Sequence, residues 1–183
     1  MTSTMRRPRL RVLMLGGFVA LAFAVCGAAA PGAQAATVFT CAGSAVAGFS
    51  PGITNTAATV TITDDWHMGP CVNLAAPLEL RTGLSTASYQ VANLSCTSLD
   101  NGSSGTRTIH WSTGTSSTYT YNQTTTAVAG VGLVTVQNGT ITSGDFAGDA
   151  MLTEEVLAEG QFANCPTSGV TGASGMVEMT IAG

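Results

Sequence analysis

Only two histidines, His67 and His110, are available to activate a hydroxyl or thiol nucleophile. Neither is accompanied by a Gly-x-Ser-x-Gly elbow, and Gly172-Ala173-Ser174-Gly175 has the wrong spacing for one. The adjacent acids Glu154 and Glu155 would point to opposite faces of a strand, so they would not flank one glycosidic bond together. The densest polar cluster is Asp64-Asp65-Trp66-His67, which follows the alternating run from Ala58 to Thr63. Read as a loop at a strand end, it is a candidate contact for a small ligand or for calcium. The other reading is a plain turn, because aspartate readily forms Asx turns. Within that loop Trp66 is the aromatic expected to be exposed. Trp111 shares a face with Ile109 and is expected in the core.

Metal chemistry finds little purchase. His67 and Cys71 are spaced like half of a zinc site, but no second close pair follows. Asp145 and Asp149 frame Gly144-Asp145-Phe146-Ala147-Gly148-Asp149, which lacks the alternating oxygen ligands of an EF-hand and reads better as a turn with Phe146 tucked inward. No metal, cofactor or catalytic residue is therefore assigned. Asn93, Asn101, Asn122 and Asn138 each head an Asn-x-Ser/Thr triplet, which matters only in a host that glycosylates them.

Charge narrows the partners. Of 183 residues, 6 are Lys or Arg and 10 are Asp or Glu, and four of the basic ones (Arg6, Arg7, Arg9, Arg11) lie at the extreme N-terminus. After residue 35 only Arg81 and Arg107 remain against all the acids. Such a surface does not suit nucleic acid or an anionic membrane, since both need a basic face.

Those N-terminal arginines, the apolar run Val12 to Val25 and the small residues of Ala33-Gln34-Ala35 form the pattern of a secretory signal, residues 1–35, leaving a domain at 36–183. Three other readings compete. They are an uncleaved span from Val12 to Ala30, twin-arginine export through Arg6-Arg7, and lipid attachment at Cys26. Cleavage leaves four cysteines, Cys41, Cys71, Cys96 and Cys165, and an even count in an exported chain implies two disulfides. Three pairings are possible; Cys41 with Cys71 and Cys96 with Cys165 is preferred over the nested alternative. The expected location is extracellular, with no integral membrane segment after cleavage.

Which elements would position these groups? From Ala36 onward, Thr, Ser and Gly supply 58 of 148 residues, a composition of β-surfaces and turns. Apolar residues alternate with polar ones in Ala58-Val60-Ile62, Arg107-Ile109-Trp111, Tyr119-Tyr121, Val134-Val136 and Val177-Met179-Ile181. This period of two predicts strands with one face buried. Turn signals separate them at Ser50-Pro51-Gly52, Asp100-Asn101-Gly102, Thr113-Gly114, Gly144 to Gly148 and Ser168-Gly169. Ala150 to Gly160 is the best helical candidate, but its bracketing glycines favour a strand. The expected fold is all-β: an antiparallel sandwich of immunoglobulin-like topology with about 8–9 strands and two disulfides.

The motifs Thr40-Cys41-Ala42-Gly43, Phe49-Ser50-Pro51-Gly52-Ile53-Thr54, Gly69-Pro70-Cys71, Leu94-Ser95-Cys96, Ile109-His110-Trp111, Thr142 to Gly148 and the late Cys165 resemble a group of Thr-rich, four-cysteine secreted proteins of actinobacteria. That resemblance implies export and an all-β domain, and it brings no activity, ligand or catalytic residue. In composition and class the chain is also similar to the enediyne-carrier apoproteins. Their disulfides close short loops, whereas neighbouring cysteines here are 30, 25 and 69 positions apart.

The leading expectation is a secreted, non-catalytic β-domain that binds a partner or belongs to a cell-surface layer. One alternative is a small-molecule carrier with a pocket between two sheets. The other is a hydrolase assembled only in three dimensions from Asp64, Asp65, His67 or His110.

Overall fold

The computed structural model describes residues 38–183 apart from residues 75 and 166, with backbone only at 77–79. The expected signal, residues 1–35, and Cys26 lie outside the described residues. Eight strands follow one another: β1 (Val38–Ile53), β2 (Ala58–Asn73), β3 (Ala76–Leu94), β4 (Asn101–Trp111), β5 (Ser116–Val128), β6 (Gly132–Gly144), β7 (Ala150–Ala158) and β8 (Val170–Ala182). A single 3₁₀ turn, Glu159–Phe162, lies between β7 and β8. The Ala150 segment is thus a strand, as its glycines suggested.

Each strand pairs antiparallel with the next, and β8 returns to β1 along Val38↔Ala182 to Gly48↔Gly172, closing a barrel. The expected immunoglobulin-like sandwich is therefore wrong. Alternation of period two is common to a sandwich face and a barrel wall, so it does not separate them. Strand length does: β1, β2 and β3 run 16, 16 and 19 residues, long enough to tilt and coil around a closed circuit. No helix among the described residues is long and apolar enough to cross a membrane. The outward positions of β2, β4 and β5 carry Thr, Asp, His, Ser and Asn, while Val46, Leu84, Leu152 and Met176 are exposed on β1, β3, β7 and β8.

Both preferred disulfides form, Cys41–Cys71 between β1 and β2 and Cys96–Cys165 between the β3–β4 and β7–β8 connections. The barrel therefore has two distinct ends. At the first end, where β2–β3, β4–β5 and β6–β7 turn, Phe39 packs edge-on against Trp111 (centroids 5.5 Å apart) and against Phe146 (5.0 Å). Phe146 reaches inward from a left-handed backbone conformation, and its neighbour Asp145 is tied to Arg81 at 2.7 Å. At the second end Phe49, Ile53, Val60, Leu94, Leu133, Leu157 and Val170 are buried. Each such side chain contributes roughly 1.5–3 kcal/mol on leaving water.

One joint of the wall is short. β3 and β4 pair only at Gly83↔Trp111 and Leu84↔His110. The Ser85 hydroxyl then donates to the Thr108 carbonyl at 2.7 Å. Beyond it the two strands diverge around a polar cleft of about 510 Å³ that reaches Tyr89, Tyr121 and Arg107.

Candidate functional site

The middle of the barrel is polar. Inward positions of the strands bring Asp64 (β2), Ser85 (β3), Arg107 (β4), Gln123 (β5), Gln137 (β6) and Glu155 (β7) to one level, all buried. Arg107 organises one half of it. Its Nη1 donates to Asp64 Oδ2 at 2.5 Å, Nη2 to the Asp64 carbonyl at 2.9 Å, and Nε to Ser85 Oγ at 2.8 Å. The guanidinium lies over the Trp66 ring, 3.4 Å from its centroid, a desolvated cation–π contact. The other half is a relay in which Tyr119 Oη donates to Gln137 Oε1 at 2.6 Å and Gln137 Nε2 to Gln123 Oε1 at 2.9 Å. Gln123 Nε2 continues to Thr125 Oγ1 at 3.3 Å, and Thr125 and Thr135 share a hydrogen bond of 3.1 Å.

Four buried side-chain atoms are left without a hydrogen-bond partner among the described residues: Asp64 Oδ1, Trp66 Nε1, Asn101 Oδ1 and Glu155 Oε1. Burial pushes the Glu155 carboxyl up to about 8, and the neighbouring Asp64 charge adds to the effect. Burial also raises Asp64, against the opposing pull of Arg107. Burial lifts the Tyr89 phenol to about 12.

Side chains fill most of the interior. A cavity of about 20 Å³ lies between the polar layer and the second end, lined among others by Tyr89, Asn101, Thr125, Thr135 and Glu155. Leu99 and Leu133 line this cavity and also an open apolar pocket of about 580 Å³ at the second end. Ala127, Val128, Phe162 and Ala163 form much of the rest of that outer pocket. Gly132, at φ 133°, lets the β5–β6 turn fold tightly against the Leu157 carbonyl, where any Cβ would collide.

The expected loop-end cluster is placed differently. β2 runs straight through Asp64-Asp65-Trp66-His67, so the four alternate across the wall. Asp64 and Trp66 point inward, Trp66 being 1% exposed rather than a solvent-facing aromatic. His67 faces outward and Asp65 lies half-buried on the same outer side. His110 is also exposed, and Leu84 separates the two histidines in the register His67↔Leu84↔His110. No hydrogen bond or ion pair joins either histidine to a carboxylate or hydroxyl among the described residues. Trp111 is in the core as expected, its Nε1 donating to Ser117 Oγ at 2.8 Å.

Sequence reasoning missed Arg107, Glu155, Gln123 and Gln137. For Arg107 the signal was visible, since it shares the inward register of Ile109 and Trp111. For Gln137 the register points the other way. Leu133, Thr135 and Gln137 face inward while Val134 and Val136 face out, so in this stretch the polar pair lies inside and the two valines outside.

No protein-family model matches the chain, and neither the curated proteins nor the solved structures searched hold a match.

Proposed function

We propose that this is an exported, non-catalytic binding barrel that takes a small, largely apolar molecule at its disulfide-clamped end. The observation that carries this reading is the open pocket of about 580 Å³ walled by Leu99, Val128, Leu133 and Phe162. Its volume falls within the range of roughly 300–1,000 Å³ common to small-molecule sites. An eight-stranded barrel is also of the size that either fills with side chains or holds one small ligand. Here the barrel centre is filled, so the ligand's place is the mouth rather than a gap between two sheets. The two disulfides support export, because such bonds persist in oxidising compartments.

Nile red titration tests the reading. The wild-type barrel is expected to give saturable, one-to-one fluorescence enhancement. Gly160 lines the pocket, and a Cβ there would meet nothing within 4 Å. Gly160→Trp should therefore plug the pocket without disturbing the fold, and abolish the signal at an unchanged urea midpoint. Equal dye binding by the plugged variant, or none by the wild type, overturns the proposal.

A further inference from the structure

We infer that the ligand's polar head is a primary ammonium group, received by Glu155 and Asn101 in the small cavity behind the mouth. This rests on the reading that the mouth binds the ligand's apolar body. The cavity and the mouth share Leu99 and Leu133 as walls, so these two side chains are what a chain lying in the mouth must displace to reach the inner space.

Two of the four unpartnered buried atoms, Glu155 Oε1 and Asn101 Oδ1, belong to residues that line this one cavity, and both are acceptors once Glu155 is ionised. The Asn101 amide is not free to turn, because its Nδ2 donates to the Leu99 carbonyl at 3.0 Å. The Thr125 and Thr135 hydroxyls add acceptor lone pairs at the same wall. A guest must therefore donate several hydrogen bonds from one compact atom, and an ammonium has three N–H donors and no lone pair. A space of about 20 Å³ accommodates a head of that size. Charge points the same way. Arg107 is committed to Asp64, so the Glu155 carboxyl, once ionised, has no cation of its own bonded to it among the described residues, and Tyr89 and Tyr119 are its uncharged neighbours. A carboxylate head would face Glu155 with like charge.

The entering ammonium takes the place of the proton on the Glu155 carboxyl, which passes to water. Amine affinity should thus climb with pH until Glu155 is ionised in the free protein, near pH 8.

The experiment compares decylamine, decanol and decanoate, each below its micellar concentration, as displacers of Nile red from the intact mature chain. Decylamine should bind at least tenfold more tightly than decanol and decanoate at pH 8. Glu155→Gln should erase the preference for decylamine over decanol. Asn101→Leu, which leaves the carboxyl in place, should reduce the preference if Glu155→Gln does not fold. Equal binding of amine and alcohol, tighter binding of decanoate, or a preference that survives in both variants overturns the head-group assignment and leaves the mouth pocket standing. Failure of all three to displace the dye overturns the assignment together with the pocket reading.

Discussion

Glu155 on β7 and Asp64 on β2 approach one another inside the barrel, with the single guanidinium of Arg107 to serve two carboxyls. Arg107 is committed to Asp64 by two hydrogen bonds and to Ser85 by two more. Burial of Glu155 is therefore offset only in part by Arg107 and Trp66, and the barrel's pH-dependent stability follows from that imbalance.

The first consequence is a pH dependence of stability with a defined sign. The ordinary value for the Glu155 carboxyl is 4.5, and in the folded barrel it rises to about 8. Below pH 4.5 both folded and unfolded chains hold the proton, and nothing is lost. Above it the unfolded chain ionises while the folded one stays protonated, so stability falls by up to about 1.4 kcal/mol per pH unit until about pH 8. The raised Asp64 carboxyl acts in the same direction. Urea denaturation between pH 4.5 and 8.5 should show this decline, and Glu155→Gln should flatten it and be the more stable protein at pH 8. A wild-type profile that rises over this range would show that Glu155 is not buried as described.

Truncation of Arg107 strands Asp64. Arg107→Met should cost about 3–5 kcal/mol, the penalty for leaving a buried charge unpaired. Adding Asp64→Leu should recover much of that loss, because an apolar pair of similar volume removes the desolvation cost as well. Chemical denaturation of the two single variants and the double variant measures the coupling. Simple additivity would mean that the two side chains do not depend on each other.

How far these features were legible beforehand depends on which face of a strand held them. The inward sets of β8, of Ile109 and Trp111 in β4, and of Val60 and Ile62 in β2 follow the apolar alternation, so those strands and buried faces could be read directly. Two disulfides could be read from the cysteine count; their pairing could only be preferred among three, and the preferred one forms. Barrel closure could not, since pairing of β8 with β1 joins the two ends of the described chain and leaves no local pattern. The polar layer was hidden for another reason. Period-two reasoning assigns polar residues to the solvent side, and in β6 Thr135 and Gln137 occupy the inner one. Trp66 beside two aspartates looked like a loop because its neighbours are polar. It is instead the surface on which Arg107 is stacked.

The short β3–β4 joint should be the most labile part of the wall. If the register Leu84↔His110 continued, Thr86 to Asn93 would meet Thr108 to Asn101, but no such pairs form among the described residues. Every other neighbouring pair of strands is joined over eight or more positions, as β7 and β8 are from Ala150↔Ala182 to Leu157↔Gly175. Native-state hydrogen exchange should therefore be fastest, within the strands, at the amides of Thr86–Asn93 and Asn101–Thr106 that face the cleft. Equal protection there and along β1–β8 would mean that the joint closes in solution.

The two disulfides should separate fold stability from binding. In the chain-entropy model, Cys96–Cys165, which spans 69 positions, contributes about 4 kcal/mol. Cys41–Cys71, which spans 30, contributes slightly less, about 3.5 kcal/mol. Removal of either should thus lower the urea midpoint by comparable amounts. Their effect on the mouth should differ. Cys96–Cys165 ties the β3–β4 connection, which carries Leu99, to the β7–β8 segment, which carries Phe162 and Ala163, and all three residues line the outer pocket. Without that tie the walls separate, and Nile red affinity of the doubly substituted Cys96→Ser, Cys165→Ser protein should fall at least tenfold at temperatures where it is still folded. Cys41→Ser with Cys71→Ser, at the far end, should leave dye affinity within twofold of wild type. Equal losses from both pairs would mean that the pocket depends on global stability alone, and that the clamp has no part in shaping it.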